Sequence, residues 1–129
     1  MANPNIVSVA TILGGNAGWN LTNTVTTTLL TVTAEYVLKI NRIVVANVDG
    51  SSAADVDLFV DGMGSGTTGV SVTGGASATY LAKIISVPYQ SSLVVLDTPI
   101  YLMEGDILKG GSDTATALDL YISYETLID

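Results

Sequence analysis

The chain contains no cysteine and no histidine. The first absence excludes disulfides, thiolate metal sites and a cysteine nucleophile. The second removes the usual general base, the imidazole of a catalytic triad and the commonest transition-metal ligand. Charge is scarce as well: 12% of the 129 residues carry it, against roughly 25% in an average soluble domain. Four basic residues stand against twelve acidic ones, for a net charge of −8. So few cations cannot neutralise a phosphate backbone, so no nucleic-acid partner is expected, and the same balance disfavours an anionic membrane surface. Long hydrophobic runs are missing too. Stretches such as Ile43–Ala46 and Leu93–Leu96 end after four residues, where a spanning helix needs about 20. The opening MANPNIVSVATILGG has no Lys or Arg ahead of its apolar stretch, unlike the charged start of a secretory signal. Folding in the cytoplasm is therefore expected.

What is present is apolar and branched. Hydrophobic residues make up 48% of the chain, and a length of this order suits one domain that buries roughly two thirds of its unfolded surface. Val and Thr favour pleated structure because their side chains are stiff at the branch, while Gly, Asn, Asp and Ser cluster between the branched runs and supply turns. No stretch keeps a helical period over three turns. The expectation is an all-β, single-domain antiparallel fold over residues 1–129.

Strict alternation marks two strands. In Asp55–Asp61, Val56, Leu58 and Val60 face one way while Asp55, Asp57, Phe59 and Asp61 face the other, which predicts one buried and one wet, acidic face. In Ala117–Glu125, Leu118, Leu120, Ile122 and Tyr124 form the core face. Tyr36–Val48 is apolar on both sides and longer than a typical strand, so it reads as one long central strand or as two segments joined at a bulge near Asn41–Arg42. Asp49-Gly50 then signals a turn, and residues 36–61 read as an antiparallel hairpin. Further strands are expected at Ile6–Leu13, Val25–Thr33, Thr79–Val87, Ser92–Asp97, Ile100–Met103 and Ile107–Lys109, with a tight turn at Glu104–Asp106. Short strands with turn signals every 8–12 residues or so make a sandwich or barrel. Gly14–Thr24 and Gly62–Gly75 read as loops, the second long enough to be functional or mobile.

No motif points to catalysis or to a cofactor. Gly64–Gly69 fits G-x-G-x-x-G after a strand, but no helix opens behind it to hold a pyrophosphate, and no Lys-Ser/Thr follows. Asp55, Asp57 and Asp61, with Asp49 nearby, raise calcium binding or acid/base work as alternatives. A solvated face that discourages edge-to-edge pairing explains them more simply, so no metal is expected. Serines and threonines have no imidazole to activate them. The chain is expected not to be an enzyme. Among the aromatics, Trp19 and Tyr89 adjoin predicted loops and are the candidates for an interface or a sugar platform.

The stretch YVLKINRIVVANVDGSSAADVDLFV, followed by SLVVLDTPIYLMEGDILKGG, resembles small β-rich virion proteins of tailed bacteriophages. The likeness extends to the opening MANPN and is greatest to capsid decoration (cement) proteins and related head or neck components. The resemblance covers roughly residues 36–125 and rests on strand-and-turn patterns. It implies a β-sandwich, often a jelly roll, that sits as a homotrimer on the capsid surface and braces the major capsid protein. Residues 1–33 are then either an extended N-terminal arm or the first strands of the sandwich. A neck, tail or head-fibre component, or a host-surface carbohydrate-binding module, are the alternative readings.

Overall fold

The computed structural model describes residues 11–62 and 78–128. Nine strands run through them: β1 Thr11–Asn20, β2 Thr28–Thr31, β3 Tyr36–Asn47, β4 Ala54–Asp61, β5 Ala78–Val87, β6 Ser92–Leu96, β7 Ile100–Leu102, β8 Ile107–Ser112 and β9 Leu118–Ile128. The chain is an all-β sandwich, and every pairing is antiparallel. Pairing is nested about the middle of the chain. β4 pairs β5, β3 pairs β6 and β7, β2 pairs β8, and β1 pairs β9. Two further ladders, β3 with β9 and β4 with β8, join alternate pairs into sheets. The first sheet runs β1-β9-β3-β6, with β7 also on β3, and the second runs β2-β8-β4-β5.

The core lies between them, where the alternating branched residues of each sheet meet. Ile40, Ile43, Val45, Leu120 and Ile122 come from the first sheet, and Val56, Leu58, Val60 and Leu108 from the second. The inward faces expected for β4 and β9 are therefore present, with Tyr124 half-buried against the same cluster. β3 carries its bulge where the polar interruption falls, between Ile40 and Arg42 against β9. The bulge resets the alternation, so Ile40 and Ile43 both point inward.

The hairpin expected over residues 36–61 does not form, because β3 and β4 lie in different sheets. A two-residue hairpin at Asp49-Gly50 needs positive φ, and among the described glycines only Gly62 and Gly105 have it. The side chains turn the connection across the sandwich instead. Asn47 Oδ1 accepts from the Asp49 amide, and Asp49 Oδ1 accepts from the Ser51 amide and hydroxyl. Those Ser51 bonds, the amide's first, hold the Asp49 carboxyl below the ordinary carboxylate range.

The loop expected at Gly14–Thr24 is also corrected, since β1 runs through Asn20. Its glycines argue for a turn locally, but ten consecutive residues of β9 offer a continuous ladder from Thr11↔Ile128 to Asn20↔Asp119. Thr11–Asn20 and Thr28–Thr31 are strands, one in each sheet. The expected strand Ile6–Leu13 is described only from Thr11, and Gly64–Gly69 lies outside the described residues.

The Glu104–Asp106 turn forms as expected. Gly105 has a φ of 86°, the Asp106 amide donates to the Met103 carbonyl, and Asp106 Oδ2 accepts from the Met103 amide at 3.0 Å. Asp106 is only 5% exposed, and burial raises its carboxyl above the ordinary 3.8, with the Met103 bond opposing the shift. A carboxyl raised in this way binds its proton more tightly folded than unfolded. Its charge therefore costs stability above the raised pKa, and that cost is lifted as pH falls through it. Asp106→Asn keeps an acceptor for Met103 and removes the charge. The variant should melt above the parent at pH 7, the gap closing on acidification. A gap that widened in acid would contradict this account.

Candidate functional site

The acidic face of β4 is less wet than its alternation implies. Asp55, Asp57 and Asp61 are half-buried, and Phe59 is buried, its ring 4.9 Å from that of Tyr80 on β5. Two of the acids beside it, Asp57 and Asp61, bond through their carboxylates, and the third, Asp55, through its backbone. Asp61 Oδ2 accepts from Lys109 Nζ at 2.9 Å, and that bond holds its carboxyl below the ordinary range. Asp57 Oδ1 accepts from the Ile84 amide at 2.7 Å. The Asp55 amide donates to Asp113 Oδ1, fastening the β8–β9 connection to β4. Among the described residues no three acidic side chains are gathered as metal ligands. A solvent-facing carboxylate row was the expectation; the buried Phe59 ring interrupts it, and neighbouring strands supply partners to Asp57 and Asp61.

The Asp57 bond to Ile84 sits at a distortion. Along β5 the register against β4 shifts twice, and Ile84 has a φ of 52°. For a β-branched residue the left-handed region is a true outlier, costing roughly 1–3 kcal/mol. The strain leaves the Ile84 side chain 62% exposed, on an edge strand that also exposes Ile85 and Tyr80. Lys83 Nζ lies 4.7 Å from the centre of the Tyr80 ring. β5 thus presents an apolar edge patch at Ile84, whose backbone the Asp57 carboxylate holds, while Ile85, opposite the inward-facing Val56, lies at the rim of the core side. Nothing in its sequence separated Ile84 from core residues, because the bulge at which it is exposed depends on the pairing with β4.

The two aromatics singled out by sequence are not brought together. Trp19 is half-buried on the inward face of β1, packed against the core. Tyr89 is exposed in the β5–β6 turn, which the Ser91 hydroxyl closes by donating to the Pro88 carbonyl. β1 and β6 are opposite edges of the first sheet.

A second surface feature lies on the outer face of that sheet. Val94, Val44, Tyr121 and Gly18 form one row across β6, β3, β9 and β1. Beside them is a shallow depression of about 430 Å³, lined by Gly18, Asn20, Val44, Ala46, Asp119 and Tyr121, with Trp19 also contributing. Asn20 Nδ2 donates to Asp119 Oδ1 at 2.7 Å, which fixes both groups at its rim. A cleft of about 270 Å³ opens elsewhere between the sheets, lined by Leu30, Val32, Leu38 and the hydroxyl-bearing Tyr36 and Tyr124. Comparison with protein-family models, with curated proteins and with solved structures returned no match.

Proposed function

We propose that this protein is a non-enzymatic structural component of a phage particle. It binds the outer face of the assembled capsid and braces the major capsid protein, as a homo-oligomer with a trimer favoured. The observation that carries the reading is the β5 patch. Strain persists in a fold only where the surroundings over-determine it, and here the Asp57 bond maintains strain at Ile84 for a side chain that makes little use of the core. Apolar surface held outward in this way serves contact with another protein. The nested strand order supports the jelly-roll reading, since a long hairpin rolled on itself gives two packed sheets with strand orders of this kind, β7 being an addition on β3. Scarce charge supports burial of further surface by neighbours.

The test uses a substitution that the backbone welcomes. Glycine occupies the left-handed region freely, so Ile84→Gly relieves strain while removing the contact. Purified protein is expected to be oligomeric by light scattering and to co-sediment with assembled capsids but not with free capsid subunits. Ile84→Gly should melt no lower than the parent and bind capsids at least tenfold more weakly. A monomer that ignores capsids overturns the proposal, as does undiminished binding by the variant. Copy number separates the shell from the neck or tail: hundreds per particle favour decoration, and a handful excludes it.

A further inference from the structure

We infer that the outer face of the first sheet holds a binding site for neutral saccharide, centred on Tyr121, Asp119 and Asn20. The reasoning starts from β1, whose outward residues are Gly14, Asn16, Gly18 and Asn20. Two of the four have no side chain, leaving a bare strip along an edge strand. Glycine weakens a strand interior and often marks a place where a ligand comes close to the backbone. Gly15, on the inward side, has a packing reason, because a Cβ there would lie 2.7 Å from the Tyr124 ring. Gly18 has none of this kind. Its φ is not positive, and a Cβ would sit 3.6 Å from the Leu120 carbonyl oxygen and 4.0 Å from Tyr121 Cδ1, both ordinary contacts. The fold tolerates a side chain at Gly18, and its lack keeps space open beside the Tyr121 ring.

The chemistry around that space selects the occupant. Tyr121 is 50% exposed and offers an apolar ring with a polar hydroxyl at its end, against which the C–H face of a pyranose stacks. Asp119 supplies carboxylate acceptors for hydroxyl donors, and its orientation is fixed in advance by Asn20. Asn20 gives its two bonds, to Asp119 and to the Thr116 carbonyl, through Nδ2, so its Oδ1 takes part in neither. Acceptors of this kind suit vicinal hydroxyls. An anionic ligand would meet Asp119 on a chain of net charge −8, and an apolar peptide would strip water from that carboxylate without replacing its bonds. The depression of about 430 Å³ has room for more than one sugar ring, and the strip of Gly14 and Asn16 continues from it along β1. This inference does not rest on the capsid reading, and either can fail alone.

The probe is an array of immobilised neutral oligosaccharides in gluco, manno and galacto configurations, followed by calorimetry with the best binder in solution. The parent is expected to bind at least one of them. Gly18→Val, which fills the space, and Tyr121→Ala, which removes the ring, should each weaken binding at least tenfold while melting within a few degrees of the parent. Tyr89→Ala, remote in the β5–β6 turn, should bind as the parent does. No binding to any neutral glycan, preference for anionic glycans alone, or binding unaffected by Gly18→Val overturns the assignment. Self-association lost in Gly18→Val, with no sugar bound, would identify the face as a contact between copies and overturn it equally.

Discussion

Gly110→Ala should cost about 3 kcal/mol, at the upper end for overpacking a core. For a chain of this length that is a fall of roughly 10 °C in melting temperature. Gly110 lies in β8 opposite Leu58 of β4, at the centre of the second sheet. A Cβ there would run into the backbone carbonyl oxygen of Asp57, and would lie 2.9 Å from Leu58 Cδ1 and 3.2 Å from Leu58 Cα. None of these atoms can swing aside cheaply. Leu58 is fully buried, and β4 is held on its other side by β5. β8 cannot retreat either, because the Gly110 amide donates to the Thr27 carbonyl across the opposite edge. The adjacent Gly111 provides an internal comparison. Its Cβ would crowd the Thr24 and Thr22 carbonyls at 2.7 and 2.9 Å, but these lie on an exposed stretch that can shift outward at the expense of one bond, from the Ser112 amide to the Thr22 carbonyl, about 1 kcal/mol. Gly111→Ala should therefore cost less. Urea and thermal unfolding of both variants measure the difference, and equal losses, or a loss under about 1 kcal/mol at Gly110, would show that the strands yield more readily than argued.

This pair of glycines also marks how far the sequence can be read. The strand cores were legible because burial of one face imposes period-two alternation locally: Val56, Leu58 and Val60 in β4, and Leu118, Leu120 and Ile122 in β9, face inward as their spacing requires. For Tyr36–Val48 the sequence left an unbroken strand and a bulge both open, and the bulge lies between Ile40 and Arg42, where polar residues interrupt the alternation. What failed depended on partners remote in the chain. β1 is a glycine- and asparagine-rich strand only because β9 lies beside it. Asp49-Gly50 is a good hairpin signal that the Asn47 side chain overrules. The same limit applies to the candidate surfaces. Trp19 and Tyr89 stood out by residue type, whereas the depression was assembled from Gly18, Val44 and Tyr121, residues unremarkable alone and aligned only by register. Exposed Ile84 depends on a bulge whose support, Asp57, is 27 residues away.

Asn47→Leu, nearly isosteric, is expected to be about as damaging as the Gly110 variant, near 3 kcal/mol, by the opposite mechanism: it leaves backbone groups without partners. Asn47 is 4% exposed at the end of β3, in a position that alternation gives to the core. All three of its bonds go to backbone. Nδ2 donates to the Val87 carbonyl at 2.9 Å and to the Ser52 carbonyl at 3.0 Å, and Oδ1 accepts from the Asp49 amide at 2.8 Å. These atoms come from the end of β5 and from both sides of the β3–β4 crossing, so one side chain fastens the point where the chain changes sheets. Leucine would match the apolar surroundings and even gain in transfer energy. It would orphan a buried carbonyl at Val87 and two half-buried groups that water reaches only if the crossing opens. Opening is the structural consequence to look for. The Asp49 amide should lose protection from hydrogen exchange in the variant, while the Leu120 and Ile122 amides of β9 keep theirs up to the reduced global stability. Asn47→Asp separates donors from acceptor. It retains the bond from Asp49 but turns oxygen lone pairs towards the Ser52 and Val87 carbonyls, and it should recover part of its loss when acid protonates the carboxyl and restores one donor. If Asn47→Leu proved as stable as the parent, the crossing would be held by packing alone, and the polar clasp would be incidental to the fold.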